Sequence, residues 1–214
     1  MTNKKGLFIA LDGGEGSGKS ELLEKIKKHY GDRVVVTREP GGSAYAEEIR
    51  QIIRDSPNAG QADAETMFGL FWAARADHVR NTIVPAIKRG KIVISDRFDS
   101  STFAYQICAQ GARHLEQLFW STRSLFLGSN TPDIYVYLDI DPIIGLARKI
   151  NQTDEKKNHF DERKLAFHED VRNGFKEFFA YNGHGIKSLI INAENSKEKV
   201  WEDFKKIIDV QIVV

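Results

Sequence analysis

Five short apolar runs recur along the chain: Leu7–Leu11, Arg33–Thr37, Ile92–Ser95, Ile134–Leu138 and Ser188–Ile191. Within each run the apolar character is nearly continuous rather than alternate, which predicts strands covered on both faces. Stretches with helical patterning separate them: Gly18–His29, Tyr45–Arg54, Ala64–Arg89, Thr102–Cys108, Arg113–Leu127, Ile143–Lys149, Glu162–Ala180 and Lys197–Val210. Strands alternating with helices predict βαβ units, hence an α/β domain built on a parallel sheet flanked by helices. Pro85 interrupts the longest helical stretch and predicts a kink or break there. The segment Asn151–Asn158 is polar and without periodicity, and reads as an exposed mobile loop between two helices.

Length and composition narrow the picture. At 214 residues the chain suits one domain, or one domain carrying a mobile insertion. Lys plus Arg total 31 against 30 Asp plus Glu, a formal charge of +1. That balance gives no general attraction for nucleic acid or for an acidic membrane, so any anion site is local. The single cysteine, Cys108, makes no internal disulfide and points to a reducing compartment, the cytoplasm. The N-terminus lacks the pattern of a signal peptide or membrane span.

The chemistry concentrates after the first predicted strand. Gly13-Gly14-Glu15-Gly16-Ser17-Gly18-Lys19-Ser20 matches G-x-x-x-x-G-K-[ST] and lies between a strand and a helix, the context the motif requires. Glycines let successive backbone N–H groups turn inward toward phosphate oxygens, and the following helix adds its positive end. Lys19 then reaches the β- and γ-phosphates of a nucleotide, and the Ser20 hydroxyl holds Mg²⁺. A bare glycine-rich turn is the bland alternative.

A second constellation faces this loop. The predicted strand Ile92–Ser95 runs into Asp96, placed to orient Mg²⁺, and Arg97 follows at once, placed for a second phosphate group. The bland reading of that pair is a surface Asp-Arg pair at a strand end. Arg38 ends the second predicted strand, in Thr37-Arg38-Glu39-Pro40-Gly41-Gly42, and Arg50 lies on the next helix. Phe71 and Arg75 are one helical turn apart, so a ring and a guanidinium can stack on a base and bond its edge. In isolation that pair reads more readily as a core aromatic and a solvated arginine. His29, His78, His114, His168 and His184 show no metal spacing. Phe175, Phe178 and Phe179 fall at helical period and read as core. Leu118, Phe119 and Leu125-Phe126-Leu127 suit either a subunit interface or a helix packed on the sheet.

With these pieces in place the chain resembles bacterial thymidylate kinase over nearly all its length. The matching stretches are FIALDGGEGSGKS, VVVTREPGGS, FWAAR, VISDRFDSSTFAYQ, PDIYVYLDI and FHEDVRNGF. The phosphate loop alone is shared by many activities; TREPGG with DRxxxSTxAYQ at this spacing is far more specific. The resemblance implies a P-loop nucleoside monophosphate kinase fold with a five-stranded parallel sheet. It implies transfer of a phosphoryl group from ATP to dTMP with Mg²⁺, and a homodimer. It casts Lys19 and Ser20 as ATP and Mg²⁺ residues and Glu15 as the carboxylate near the sugar 3′-hydroxyl. Arg50 and Arg97 would clamp the acceptor phosphate, and Phe71 would stack on thymine. Arg75, Ser101 and Gln106 would be polar contacts to the base, with Tyr105 under the deoxyribose. The Glu39-Pro40 bond resembles one often cis in the family. Asn192-Ala193 falls where adenine usually sits.

One region departs from the family. The loop offers Glu15, Gly16 and Ser17 rather than an arginine, which matches the group whose lid supplies the catalytic cations. The lid expected at about 149–160 should then be rich in arginine. It carries instead Arg148 and Lys149 at its start, then Lys156, Lys157 and His159-Phe160-Asp161, with Arg163 beyond. Lysine brings charge without the bidentate fork. Arg148 and Lys149 are therefore the first candidates to meet the transition state, and Arg163 a further one. Two alternatives stay open: a related kinase with another deoxynucleoside monophosphate or a nucleoside as acceptor, and a nucleotide switch without phosphotransfer. Against the switch, the chain has no Asn-Lys-x-Asp guanine motif.

Overall fold

The structure, a computed structural model, describes residues 6–150, 164–181 and 186–212. Five parallel strands form one sheet in the order β2-β3-β1-β4-β5. They are β1 (Leu7–Gly13), β2 (Val34–Arg38), β3 (Ile92–Asp96), β4 (Ile134–Asp139) and β5 (Ser188–Asn192). The helices are α1 (Lys19–Tyr30), α2 (Ala44–Asp55), α3 (Ala64–His78), α4 (Val84–Lys88), α5 (Asp99–Thr102), α6 (Glu116–Leu127), α7 (Pro142–Ile150), α8 (Leu165–Ala180) and α9 (Lys197–Ile212).

The continuous apolar runs have the physical cause expected of them, because each face of the sheet has its own core. Ile9 and Leu11 of β1 pack with Leu22, Ile26, Trp201 and Phe204 from α1 and α9. Phe8 and Ala10, pointing the other way, pack with Trp72, Phe103, Phe119 and Phe178. Phe119 and Leu127 of α6 are core, whereas Leu118, Leu125 and Phe126 on the same helix are exposed. Phe175 and Phe178 are fully buried, as their spacing predicted.

Two predicted helices change character. The stretch Ala64–Arg89 is not one kinked helix. It runs through a π-helical segment, Val79–Ile83, in which Val84 N–H reaches back to Val79 O, and Pro85 then falls in the first turn of α4. The preceding residues are helical, so it is the wider π turn that accommodates its ring and missing N–H. The stretch predicted at Thr102–Cys108 begins earlier, as α5, and from Phe103 to Ala109 is a π-helical segment, closed by Gln110 N–H to Tyr105 O at 2.8 Å. The predicted lid, with Lys156, Lys157, His159 and Arg163, lies outside the described residues apart from its first two positions.

Register aligns the carboxyl ends of the strands. Leu11 pairs with Asp96, Asp96 with Arg38, and Asp139 with Asn192. The chain visits β2 and β3 on one side of β1, then β4 and β5 on the other. The crevice at such a switch point is where open α/β sheets bind ligands.

Candidate active site

The phosphate loop is built as its glycines predicted. Gly18, the residue before α1, has φ 85° and Gly16 has φ 67°, a region side chains avoid. Lys19 folds over the loop, its Nζ donating to Gly13 O at 2.8 Å. Burial and then the neighbouring Arg97 charge lower its pKa, against the pull of Asp96, Glu15 and Asp12. A cation held at this disadvantage gains from an incoming anion.

Beside the loop opens a cleft of about 510 Å³. Glu15, Lys19 and Ser20 line one end, and Arg38, Glu39, Pro40, Arg50, Phe71, Arg75, Asp96, Arg97, Ser101, Tyr105 and Gln106 line the rest. Every residue expected on the acceptor side thus faces one cavity. Their backbones come from the phosphate loop, from the ends of β2 and β3, from α2, α3 and α5, and from the π-helical segment after α5.

The cleft is electrostatically two-ended. Arg75 is 1% exposed, and its Nε donates to Glu39 Oε2 at 2.8 Å while Nη2 donates to Thr102 Oγ1 at 3.1 Å. Its guanidinium lies 4.6 Å from the Trp72 ring centroid and 5.3 Å from that of Phe98. Nη1 is buried with no hydrogen-bond partner among the described residues. Glu39 offers its other oxygen to His78 Nδ1 at 3.0 Å, and His78 Nε2 lies 2.7 Å from Thr37 Oγ1. Glu39 cancels the Arg75 charge, so this end of the cleft carries little net charge. Glu39-Pro40 is cis.

The opposite end is cationic. Arg97 contacts Glu15 at 3.3 Å, and its guanidinium lies 5.1 Å from the Tyr105 ring centroid. Its φ of 67° is the only positive value at a non-glycine among the described residues. The strained backbone is held by Arg97 N–H to Leu11 O at 2.9 Å and by Ser95 Oγ–H to Arg97 O at 2.8 Å. Strain of this kind gathers at functional sites. Arg50 donates to Pro40 O at 2.7 Å; burial, then Arg54 and Arg38, push its pKa down to about 10. Burial would raise the Glu15 carboxyl, but Arg97, Lys19 and Lys149 outweigh it and bring the pKa to about 2. Burial also raises Tyr105, against the Arg97 charge.

The structure separates the two lid candidates. Lys149 enters the cleft, its Nζ 2.7 Å from Glu15 Oε2. Arg148 turns to the other side of the loop and donates to Ala193 O at 2.8 Å, beside Asn192. Ser101 lines the cleft, but its hydroxyl donates to Asp12 Oδ1 at 2.7 Å, so it braces the loop side. Gln106 is buried and donates to Gln110 Oε1 at 3.0 Å.

The donor set fits a hard divalent cation. Asp96 has a buried Oδ1 without a hydrogen-bond partner among the described residues, and Ser20 offers a hydroxyl in the same cleft. One carboxylate and one hydroxyl beside a phosphate site is how Mg²⁺ is commonly held, with substrate oxygens and waters completing the shell. No group of three or more His, Cys, Asp or Glu able to hold a metal exists among the described residues.

Four residues of the site escaped the sequence reading. Asp12, fully buried, accepts Ser100 and Ser101 hydroxyls at 2.6 and 2.7 Å, and burial raises its pKa despite them. A carboxylate closing an apolar strand just before the loop was the available signal. Arg54 lines the cleft one turn after Arg50, a repeat visible in the sequence. Thr102 and His78 act through partners far away in the chain and left no local mark.

A five-stranded parallel sheet in this order, with a phosphate loop after its central strand and a polar cleft beside that loop, defines a phosphate-loop nucleoside monophosphate kinase. More narrowly, the chain belongs to the thymidylate kinase family, whose model matches residues 11–204. It is 37% identical over 204 residues to a thymidylate kinase of Clostridium novyi, covering 94% of this chain and 97% of that one. Against a thymidylate kinase of Aster yellows witches'-broom phytoplasma the identity is 39% over 199 residues, with 91% and 93% covered. The crystal structure of thymidylate kinase from Ehrlichia chaffeensis superposes with a TM-score of 0.71 at 28% identity, covering 95% of this chain and 98% of that one.

Proposed function

We propose that this protein transfers the γ-phosphoryl group of ATP to dTMP, giving ADP and dTDP, with Mg²⁺ bound at Ser20 and Asp96. The observation that carries the reading is the two-ended cleft. A neutralised arginine stands at one end beside Phe71, and a cluster of guanidinium groups, only partly offset by Glu15 and Glu47, stands at the other beside the phosphate loop. A neutral base with a carbonyl edge suits the first end, and a dianionic phosphate suits the second.

The reaction needs no protein nucleophile. The second pKa of a monophosphate is near 6, so at pH 7 the acceptor is mostly dianionic and supplies the attacking oxygen itself. A new O–P bond forms to the γ-phosphorus as the bond to the β-phosphate oxygen breaks, and ADP leaves with that electron pair. What the protein supplies is position and countercharge. At ~4 Å each like-charged contact in a partly dry site costs about 4 kcal/mol before desolvation. Lys19, Arg97 and Lys149 offset that repulsion around the transferring group, while Arg50 clamps the acceptor phosphate and Arg38 and Arg54 line the same wall. Mg²⁺, when bound, supplies further charge neutralisation between the two nucleotides. Arg75 Nη1 donates to the base carbonyl, Phe71 stacks on the ring, and Tyr105 packs under the sugar. Arg148 and Asn192 belong to the donor side.

The family supports a homodimer, and the exposed apolar positions Leu118, Leu125 and Phe126 on α6 give it a surface. No described helix is long and apolar enough to cross a membrane; a cytoplasmic location follows from the cysteine usage and the soluble nucleotide substrates. A coupled assay with ATP, Mg²⁺ and a panel of nucleoside monophosphates tests the reading. ADP release should be greatest with dTMP and weak with dCMP, whose amino group would face the Arg75 donor. Equal turnover of dCMP would refute the base assignment.

A further inference from the structure

Helix α7 is an unusual element in this fold. Its apolar positions largely face outward, with Ile143 62%, Ile144 39% and Ile150 69% exposed. Gly145 is its only buried residue. It packs against α8, and where its glycine faces inward it meets the phosphate loop. A Cβ built on Gly145 would fall well inside van der Waals distance of the Glu15 carbonyl oxygen, and one built on Gly16 would overlap the Gly145 carbonyl. Two backbones are therefore in direct contact, one from the helix and one from the loop. One helical turn further on, Lys149 lies on the same face and its Nζ meets Glu15 Oε2 at 2.7 Å. A single helix thus holds Glu15 by its backbone and by its side chain.

We propose that Gly145 is a positioning residue for phosphoryl transfer: it seats α7 directly on the phosphate loop, and this close approach sets the reach of Lys149 toward the reacting phosphates. Any side chain at this position acts as a spacer. It lifts the helix off the Glu15–Gly16 peptide and carries the ammonium group away with it. Transfer is sensitive to such displacement, since a misplacement of about 1 Å can cost about 10²-fold in rate. The inference rests on the reading in which Lys149 serves the reacting phosphates.

The test is a double-mutant cycle with Gly145→Ala and Lys149→Ala, measured as kcat and KM for both nucleotides and as Tm. A helix-interior Gly→Ala change removes backbone entropy from the unfolded chain, so on propensity alone it stabilises. Gly145→Ala is expected to lower kcat about 10- to 100-fold with KM for dTMP nearly unchanged, and to lower Tm by a few degrees, because the cost of relieving the Cβ clash with the Glu15 carbonyl outweighs the propensity gain. In a background already carrying Lys149→Ala it should cost little more, because the two changes remove one function. Near wild-type kcat in Gly145→Ala overturns the proposal, and so does full additivity in the double variant. A fall in Tm that accompanies an additive loss would mark a merely structural glycine. If Lys149→Ala alone turned over normally, the role of Lys149 would fail instead, and that result is separate from the other two.

Discussion

Glu39→Gln is the substitution that most directly probes how the cleft is built. The Arg75 and Glu39 side chains are 1% and 3% exposed, and the carboxylate is the only described anion paired with that guanidinium. Glutamine keeps the shape and both hydrogen bonds. Its oxygen can still accept from Arg75 Nε, and its amide can face His78 Nδ1 if the ring shifts its proton to Nε2, where Thr37 Oγ1 can accept it. What disappears is the charge. Breaking a buried pair by removing one partner strands the other, which typically costs 3–5 kcal/mol. Because the hydrogen bonds survive, about 3 kcal/mol is expected. In a chain of this size that is a fall in Tm of about 6–12 °C. Urea denaturation should show a lower midpoint with unchanged slope, and KM for dTMP should rise while KM for ATP stays put. Replacing the arginine as well, in Glu39→Gln/Arg75→Met, should restore most of the stability but not the dTMP affinity. A loss below about 1 kcal/mol in the single variant, or no recovery in the double, would refute the view that Glu39 exists to neutralise a buried guanidinium.

Arg97→Ala should cut kcat about 10²- to 10³-fold. Arg97→Gly should be equally inactive yet more stable than Arg97→Ala by about 1 kcal/mol, since φ 67° suits glycine; equal stability would show that the backbone strain is not real. Arg54→Gln should raise KM for dTMP about three- to fivefold at low salt without changing kcat, and the effect should fade at 0.5 M salt as screening sets in. A salt-independent loss of kcat would refute a peripheral role. Glu15 is held near pKa 2 against an ordinary 4.5. Its ion pairs therefore contribute stability that is fully present above about pH 4.5 and lost as pH falls toward 2. With the side chain 18% exposed, the shift corresponds to about 3 kcal/mol. Acid titration of stability should be visibly flatter in Glu15→Gln, and an identical acid limb would exclude this carboxylate as a contributor.

How much of this was legible in the sequence depended on the range of the interaction concerned. Strands announced themselves because burial on both faces leaves continuous apolar runs, and the phosphate loop did so because its geometry demands glycines at fixed intervals. Boundaries moved by a residue where polar side chains end a strand: Arg38 belongs to β2, and Asp96 to β3. The two π-helical segments were invisible, since an i→i+5 turn uses the same residues as an i→i+4 turn and the choice is made by packing. That choice matters, because the widened turn after α5 carries Tyr105 and Gln106 into the cleft. Arg75 looked like a solvated arginine taken alone. Only the fold reveals that Glu39, 36 residues earlier in the chain, lies against it. Ser101 was legible as a site residue but not in its partner, because Asp12 is 89 positions away.

The same charge pattern explains why the cleft has a direction. At the Arg75 end the positive charge is cancelled within the protein, so an anion gains little there and would have to surrender its hydration. At the Arg97 end several cations gather; burial works against the Arg97 charge, but Tyr105, Glu15, Asp96 and Asp12 outweigh it and raise its pKa. Arg50 is pushed down to about 10 by burial and by Arg54 and Arg38, and Lys19 is lowered by burial and by Arg97. Glu15 relieves part of that repulsion through Arg97 and Lys149 but cannot reach all of it. A dianionic phosphate supplies the missing countercharge only when it points toward the loop. On the proposed reading, the cations at that end would draw the acceptor's phosphate toward Lys19 and Lys149.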